Sequence, residues 1–85
     1  MNNRLRLERV KAKITILSVM DKNEGIINFT SEDHMKRFAD FNWIDGKGNE
    51  SIMFKTLVKA FDEDRWVVLV LERKDFGRDW VKRVE

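Results

Sequence analysis

The feature that most constrains this chain is an alternation of apolar and charged residues that runs through residues 4–20. Apolar side chains recur at every second position, and Arg9, Lys11 and Lys13 stand between them. Alternation with a period of two places successive side chains on opposite faces of a β-strand. The segment therefore predicts a long first strand with one apolar face and one basic face.

The first strand is followed by a predicted hairpin. Its alternation slips by one residue between Leu7 and Val10, which predicts a β-bulge near Glu8 and Arg9. The sequence Asp-Lys-Asn-Glu-Gly then has the composition of a turn, and residues 26–30 are apolar enough to return as a second strand.

The middle of the chain predicts two helices. Ser31 is suited to the N-cap of the first, which continues to Trp43 through apolar residues at helical spacing. Asn49 is suited to cap the second, whose apolar stripe runs from Met53 to Phe61.

The last part of the chain predicts strands again. Residues 66–71 are rich in valine and apolar on both faces, which is typical of a central strand. Residues 75–78 have the composition of a turn, and residues 79–84 fit either a helix or a strand, of which we favour the strand. This order predicts a single α+β domain over residues 1–85, in which a small antiparallel sheet of three to four strands carries two helices on one face.

Composition narrows the classes of function. The chain has 85 residues and no cysteine, which excludes disulfides, zinc–thiolate sites and thiol catalysis. No nucleophile, base and orienting group can be assembled around the single histidine, His34. We therefore expect a binding protein without a metal or cofactor, and not an enzyme. No signal peptide or membrane anchor is predicted, and the lack of cysteine favours a reducing cytoplasm.

Charge is distributed unevenly along the chain. Residues 1–20 carry a net charge of +4, residues 21–64 carry −4, and residues 65–85 carry +2. Basic side chains neutralise phosphates and aromatic side chains stack on bases, so the mixture at both ends suits single-stranded nucleic acid. An ordinary solvated surface is the alternative, and we interpret Trp66 as a core residue. The predicted RNA-binding residues are Arg9, Lys11, Lys13, Arg73, Lys74, Arg78, Trp80, Lys82 and Arg83.

Two short stretches resemble a known protein family. Residues 57–65, Leu-Val-Lys-Ala-Phe-Asp-Glu-Asp-Arg, with Val67 after them, are similar to a segment of the antitoxin Dmd of T-even phages. Residues 49–53, Asn-Glu-Ser-Ile-Met, resemble a second element of that protein at a different place along the chain. Together with length and charge, they make the chain similar to the small antitoxin-like inhibitors of these phages, among them inhibitors of the host ToxN ribonuclease.

The resemblance implies a counter-defence function. It implies a protein of the infected bacterial cytoplasm that binds and inhibits a ToxN-like toxin–antitoxin endoribonuclease, with RNA in the inhibited complex. Inhibition by covering the active site and inhibition by holding the toxin on RNA both stay open. The alternative function is a generic nucleic-acid-binding or host-takeover adaptor with another partner. The oligomeric state is open too, since a basic edge strand pairing across a two-fold axis would give a homodimer.

Overall fold

The computed structural model describes residues 6–74 and 77–85, so part of the predicted turn at 75–78 and the start of the predicted first strand lie outside the described residues. The strands predicted at 66–71 and 79–84 are confirmed. The elements are β1 (Arg6–Val19), β2 (Glu24–Ser31), β3 (Lys36–Asn42), α1 (Ile52–Asp62), β4 (Trp66–Arg73) and β5 (Asp79–Val84).

The long strand β1 pairs with two different strands. Its first half pairs with β4 and its second half pairs with β2, both antiparallel. The predicted bulge near Glu8 and Arg9 is wrong, because the pairing with β4 runs through residues 6–13 without a shift. The register shift instead lies between Ile14 and Ile16 in the pairing with β2. A shift at this point allows β1 to bend from one half of the sheet into the other.

The strands close into a barrel in the order β1-β2-β3-β5-β4. Neighbours are antiparallel except for β3 and β5, which are parallel and, among the described residues, are aligned at Asp40 and Trp80. The helix α1 lies between β3 and β4 along the chain. This order and helix position correspond to the arrangement of the OB-fold, a five-stranded Greek-key barrel.

The predicted α+β fold with two helices on an open sheet is therefore wrong. The first predicted helix, which begins at Ser31, is a hairpin loop followed by β3. The Ser31 N–H donates to the Met35 carbonyl at 2.9 Å and its Oγ accepts from the Met35 N–H at 3.2 Å, so the expected helix cap closes a turn. In β3, Ala39 and Phe41 are buried whereas Phe38 is exposed, which is the alternation of a strand.

The second predicted helix is present as α1, although its N-cap is Ser51 and not Asn49. The Oγ of Ser51 accepts the N–H of Phe54 at 3.0 Å. Phe54, Leu57 and Ala60 of α1 are buried, so the helix closes one end of the barrel. Within the two described ranges, no helix has the length and apolar character needed to cross a membrane.

The core fills the barrel between α1 and a charged network at the opposite end. The inward-facing strand residues are Val10, Ala12, Ile14, Ile27, Phe29, Ala39, Phe41, Val67, Leu69, Leu71 and Val81. At the strand ends away from α1, the guanidinium of Arg37 donates to Glu8 at 3.0 and 3.1 Å and to Asp79 at 3.1 Å. The hydrogen bonds to Glu8, and then to Asp79, raise the pKa of Arg37 although the side chain is partly buried.

Candidate nucleic-acid interface

The three basic residues predicted on β1 share the outer surface of the barrel. Val10 and Ala12 face the core, so the alternating Arg9, Lys11 and Lys13 face outward. Arg9 and Lys11 are exposed and Lys13 is half-buried. The sequence therefore predicted correctly that these residues lie on one face, while their contact with RNA stays a prediction.

Each of these three residues lies beside a carboxylate. Arg9 pairs with Glu85, Lys11 Nζ lies 3.8 Å from Glu32, and Lys13 Nζ lies 3.6 Å from Asp64. Hydrogen bonds from Arg83 and from Arg9 lower the pKa of Glu85. Exposed ion pairs of this kind contribute little to stability, so a phosphate can replace the carboxylate at low cost.

The six residues predicted in the C-terminal part are spread over three places. Arg73 belongs to the charged network at the barrel end, where its Nε donates to Asp79 at 3.1 Å. Arg83 lies near Arg9, since both donate to Glu85. The remaining four lie at or near the seam between β3 and β5, and they are Lys74, Arg78, Trp80 and Lys82.

At this seam Arg78 is engaged with a buried carboxylate. Asp40 is 3% exposed, and Arg78 Nη2 lies 2.8 Å from its Oδ1 and 2.7 Å from its Oδ2. The hydrogen bond is directed at Oδ1. That bond and the charge of Asp40 raise the pKa of Arg78. Arg78 therefore holds the β3–β5 seam closed, whatever ligand the protein binds.

A row of outward-facing residues crosses four strands near Lys13. The strand register places Lys13 between Trp66 on β4 and Thr30 on β2, and places Thr30 opposite Lys36 on β3. Trp66 is 41% exposed, so its interpretation as a core residue is wrong. Lys13 Nζ lies 5.5 Å from the centroid of the Trp66 ring. At about 4.8 Å between neighbouring strands, the row extends about 14 Å from Trp66 to Lys36.

A second row runs beside the first. Asn28 lies opposite both Ile16 and Phe38, and these two apolar side chains are 51% and 58% exposed. Between the rows is an open groove of 410 Å³. We call the combined surface the basic–aromatic face, and it consists of Lys13, Ile16, Asn28, Thr30, Lys36, Phe38 and Trp66.

The β3 part of this face was missed because residues 31–43 resembled a helix. In a helix, Lys36 and Phe38 would point in different directions, whereas on a strand they share one side. The sequence contained a signal for the strand, since Ala39 and Phe41 alternate with Phe38 and Asp40. Helical spacing of larger apolar residues masked that signal.

Comparison of the chain with protein-family models, with curated proteins and with solved structures gives no significant match. The barrel topology is compatible with many functions, because a fold alone does not define one. Function must therefore be inferred from the side chains of the basic–aromatic face and from the charges around it.

Proposed function

We propose that this chain binds single-stranded RNA on its basic–aromatic face, and that this RNA holds a ToxN-like host endoribonuclease in an inactive complex. The protein would act in the cytoplasm of a phage-infected bacterium. The observation that supports RNA binding most directly is the exposure of Trp66 and Phe38 at opposite sides of one face, each beside an outward-facing lysine, Lys13 and Lys36 respectively.

The chemistry of the face favours single strands over duplexes. Phe38 and Trp66 can stack only on bases that are unpaired and turned outward, because the bases of a duplex stack on each other. In the strand register Lys13 lies next to Trp66, and Lys36 lies on the same strand as Phe38, so each lysine stands beside one ring and can neutralise a nearby phosphate. A barrel of this topology also binds oligonucleotides through the outer side of its second and third strands in other proteins.

Inhibition of a ribonuclease toxin is supported by the resemblance to small phage inhibitors. An RNA-binding inhibitor can hold the toxin on RNA in an unproductive position, which requires the face and the toxin to engage the same RNA. The same face would serve a host-takeover adaptor with another partner, so the identity of the partner separates the two functions.

RNA binding is tested by replacing the two lysines of the face. We expect Lys13→Gln/Lys36→Gln to weaken binding of a fluorescein-labelled oligouridine and to reduce the slope of log K against log salt by about 1.4, since each lost phosphate contact removes about 0.7. The matched control is Lys55→Gln/Lys59→Gln, which removes two exposed lysines from α1. Equal weakening by both pairs, or equally tight binding of a duplex, would contradict the proposed site.

Toxin inhibition is tested by recovering the tagged protein from bacteria that express a ToxN-like toxin, with and without ribonuclease treatment. Toxin recovered only with intact RNA, and lost with the Lys13→Gln/Lys36→Gln variant, supports the RNA-bridged complex. Toxin recovered after ribonuclease treatment indicates direct contact with the enzyme. Absence of toxin in both samples, with RNA binding intact, favours the adaptor.

A further inference from the structure

A second groove lies on the outer surface of β4 and β5, next to the loop that leads into α1. It has a volume of 340 Å³. Glu72 on β4 and Trp80 on β5 stand directly opposite each other and both line it. Opposed side chains in an antiparallel pair have Cβ atoms about 5 Å apart, so the carboxylate and the indole ring are neighbours.

The carboxylate of Glu72 lies low in this groove and is only loosely paired. Glu72 is 7% exposed, and Lys82 Nζ lies 4.0 Å from its Oε1, beyond hydrogen-bond distance. Among residues 6–74 and 77–85, the Glu72 oxygens do not belong to the enclosed side-chain atoms that lack a partner, so water reaches them through the groove. A nearly buried carboxylate is stable when donors reach both of its oxygens. The groove therefore presents two acceptors that a ligand with paired donors can fill.

Among the four RNA bases, guanine has the complementary edge. Its N1–H and N2–H donors lie side by side and can both reach one carboxylate, in the same bidentate manner as a guanidinium. Adenine, cytosine and uracil pair a donor with an acceptor on that edge, so an acceptor of the base would face a carboxylate oxygen. Discrimination by such a polar mismatch is strong because the mismatched group stays unpaired.

The surroundings of Glu72 suit the rest of a guanine nucleotide. The Trp80 ring offers a surface on which a base can stack. Lys74 Nζ now lies 4.6 Å from the centroid of that ring, and a base can displace this flexible side chain from it. Lys74 and Lys82 both line the groove, where their ammonium groups can contact a phosphate.

We infer that this groove binds a guanine base, stacked on Trp80 and held by Glu72 through N1–H and N2–H. The base can belong to RNA or to a free guanine nucleotide. For RNA the inference rests on the proposed function, whereas for the free nucleotide it is independent of it.

The first test measures binding of guanosine, inosine and adenosine monophosphates to the full chain by calorimetry. Inosine lacks only the N2 amino group, so we expect it to bind about tenfold more weakly than guanosine monophosphate, and adenosine monophosphate more weakly still. We expect Glu72→Gln to remove the preference for guanine, because its amide presents one donor and one acceptor. Glu63→Gln, at an exposed site on the end of α1, is the matched control.

A second variant and an RNA series keep the result unambiguous. If Glu72→Gln lowers the melting temperature, Trp80→Leu provides an independent disruption of the stacking surface. Oligouridines with one central guanosine, inosine or adenosine test the same preference within RNA. A preference for guanine that is lost in Glu72→Gln supports the inference. Whether the preference is seen in the RNA series or with the free nucleotides shows which of the two supplies the base. Equal binding of all three bases in both series overturns it.

The same data separate this inference from the proposed function. Oligouridine binding without any preference for guanine refutes the guanine site and leaves the RNA-binding face standing. Binding of guanosine monophosphate without binding of oligouridine supports the guanine site and refutes the RNA-binding face.

Discussion

Gly25 lies directly against the ring of Phe41, its partner in the β2–β3 ladder. A Cβ atom added to Gly25 would stand 2.6 Å from Phe41 Cζ and 2.5 Å from the backbone oxygen of Ser18. Phe41 is completely buried, and its ring stacks on that of Phe54 with centroids 5.8 Å apart. The glycine thus allows β1, β2 and β3 to come together where α1 closes the barrel.

Gly25→Ala is expected to destabilise the protein by about 3 kcal/mol, because the clash involves backbone as well as a ring that has no room to move. Urea unfolding followed by circular dichroism measures the free energy of unfolding. Gly46→Ala is the control, since a Cβ atom there meets nothing within 4 Å, and its effect is expected to stay within about 0.5 kcal/mol. Similar effects of the two substitutions would contradict the close approach at Gly25.

The helix α1 offers a second comparison, between Leu57 and Phe61. Leu57 is completely buried and Phe61 is 38% exposed. Leu57→Ala is expected to cost about 3 kcal/mol, because it leaves a cavity in the core. Phe61→Ala removes a larger side chain but is expected to cost only about 1–2 kcal/mol, since part of the ring is already in water. A greater loss for Phe61→Ala in urea unfolding would show that the helix faces the barrel differently.

The pairing of Arg78 with buried Asp40 predicts that Arg78 is needed for stability. Arg78→Gln removes the charge that balances a nearly inaccessible carboxylate, so the melting temperature is expected to fall. Asp40→Asn in the same chain removes the unpaired charge and is expected to restore part of the loss. Arg65→Gln breaks only an exposed pair with Glu63 and serves as the control. No recovery in the double variant would contradict the role of the pair.

Asp21 predicts a specific dependence of stability on pH. The backbone N–H groups of Asn23 and Glu24 each donate to its Oδ1 at 2.9 Å, and these bonds lower its pKa. A carboxyl group with a lowered pKa in the folded state stabilises the fold above its unfolded pKa of about 3.9. This contribution is lost as the pH falls through the lower, folded value.

Asp21→Asn is therefore expected to lower the melting temperature at neutral pH. The difference from the unsubstituted protein should shrink as the pH falls below about 4 and disappear at still lower pH. Asp62→Asn removes one exposed carboxylate from the end of α1 and controls for net charge. If the difference in melting temperature between Asp21→Asn and the unsubstituted protein does not change with pH, the charge of Asp21 does not stabilise this turn.

Local sequence patterns predicted the elements whose partners lie nearby or whose periodicity is unmistakable. The alternation of β1, the valine-rich β4 and the apolar stripe of α1 are examples. Closure of the barrel could not be predicted in the same way, because it depends on β5 reaching β3 across a long stretch of sequence. The single aligned pair that the described residues show at this seam, Asp40 with Trp80, leaves almost no pattern in the sequence.

The prediction of a helix beginning at Ser31 was wrong for a different reason. A serine followed by two acidic residues suits a helix N-cap, but the same side chains also suit a tight turn. Pairing of β3 with β2 decided between the two, and that pairing is a tertiary interaction. The wrong helix also affected the predicted site. The site omitted Lys36 and Phe38, whereas the basic residues of β1 were placed correctly on one face.

Phe38 provides the sharpest test of the candidate site, because its ring is exposed and fold and binding can be separated. Phe38→Ala is expected to leave the melting temperature nearly unchanged, since the side chain is 58% exposed. Affinity for a labelled oligouridine is expected to fall by about 1–3 kcal/mol, the usual contribution of one stacked base. Phe38→Trp keeps an aromatic ring and should retain binding.

Ile52→Ala is the matched control for this substitution, because it removes an apolar side chain that is 83% exposed at the start of α1. Fluorescence anisotropy at several salt concentrations compares the variants. Loss of affinity in Phe38→Ala alone, with an unchanged salt dependence, identifies a stacking contact and not a charge contact. If Phe38→Ala and Ile52→Ala bind alike, β3 does not contact the RNA, and the basic residues on the first half of β1 become the surface to test.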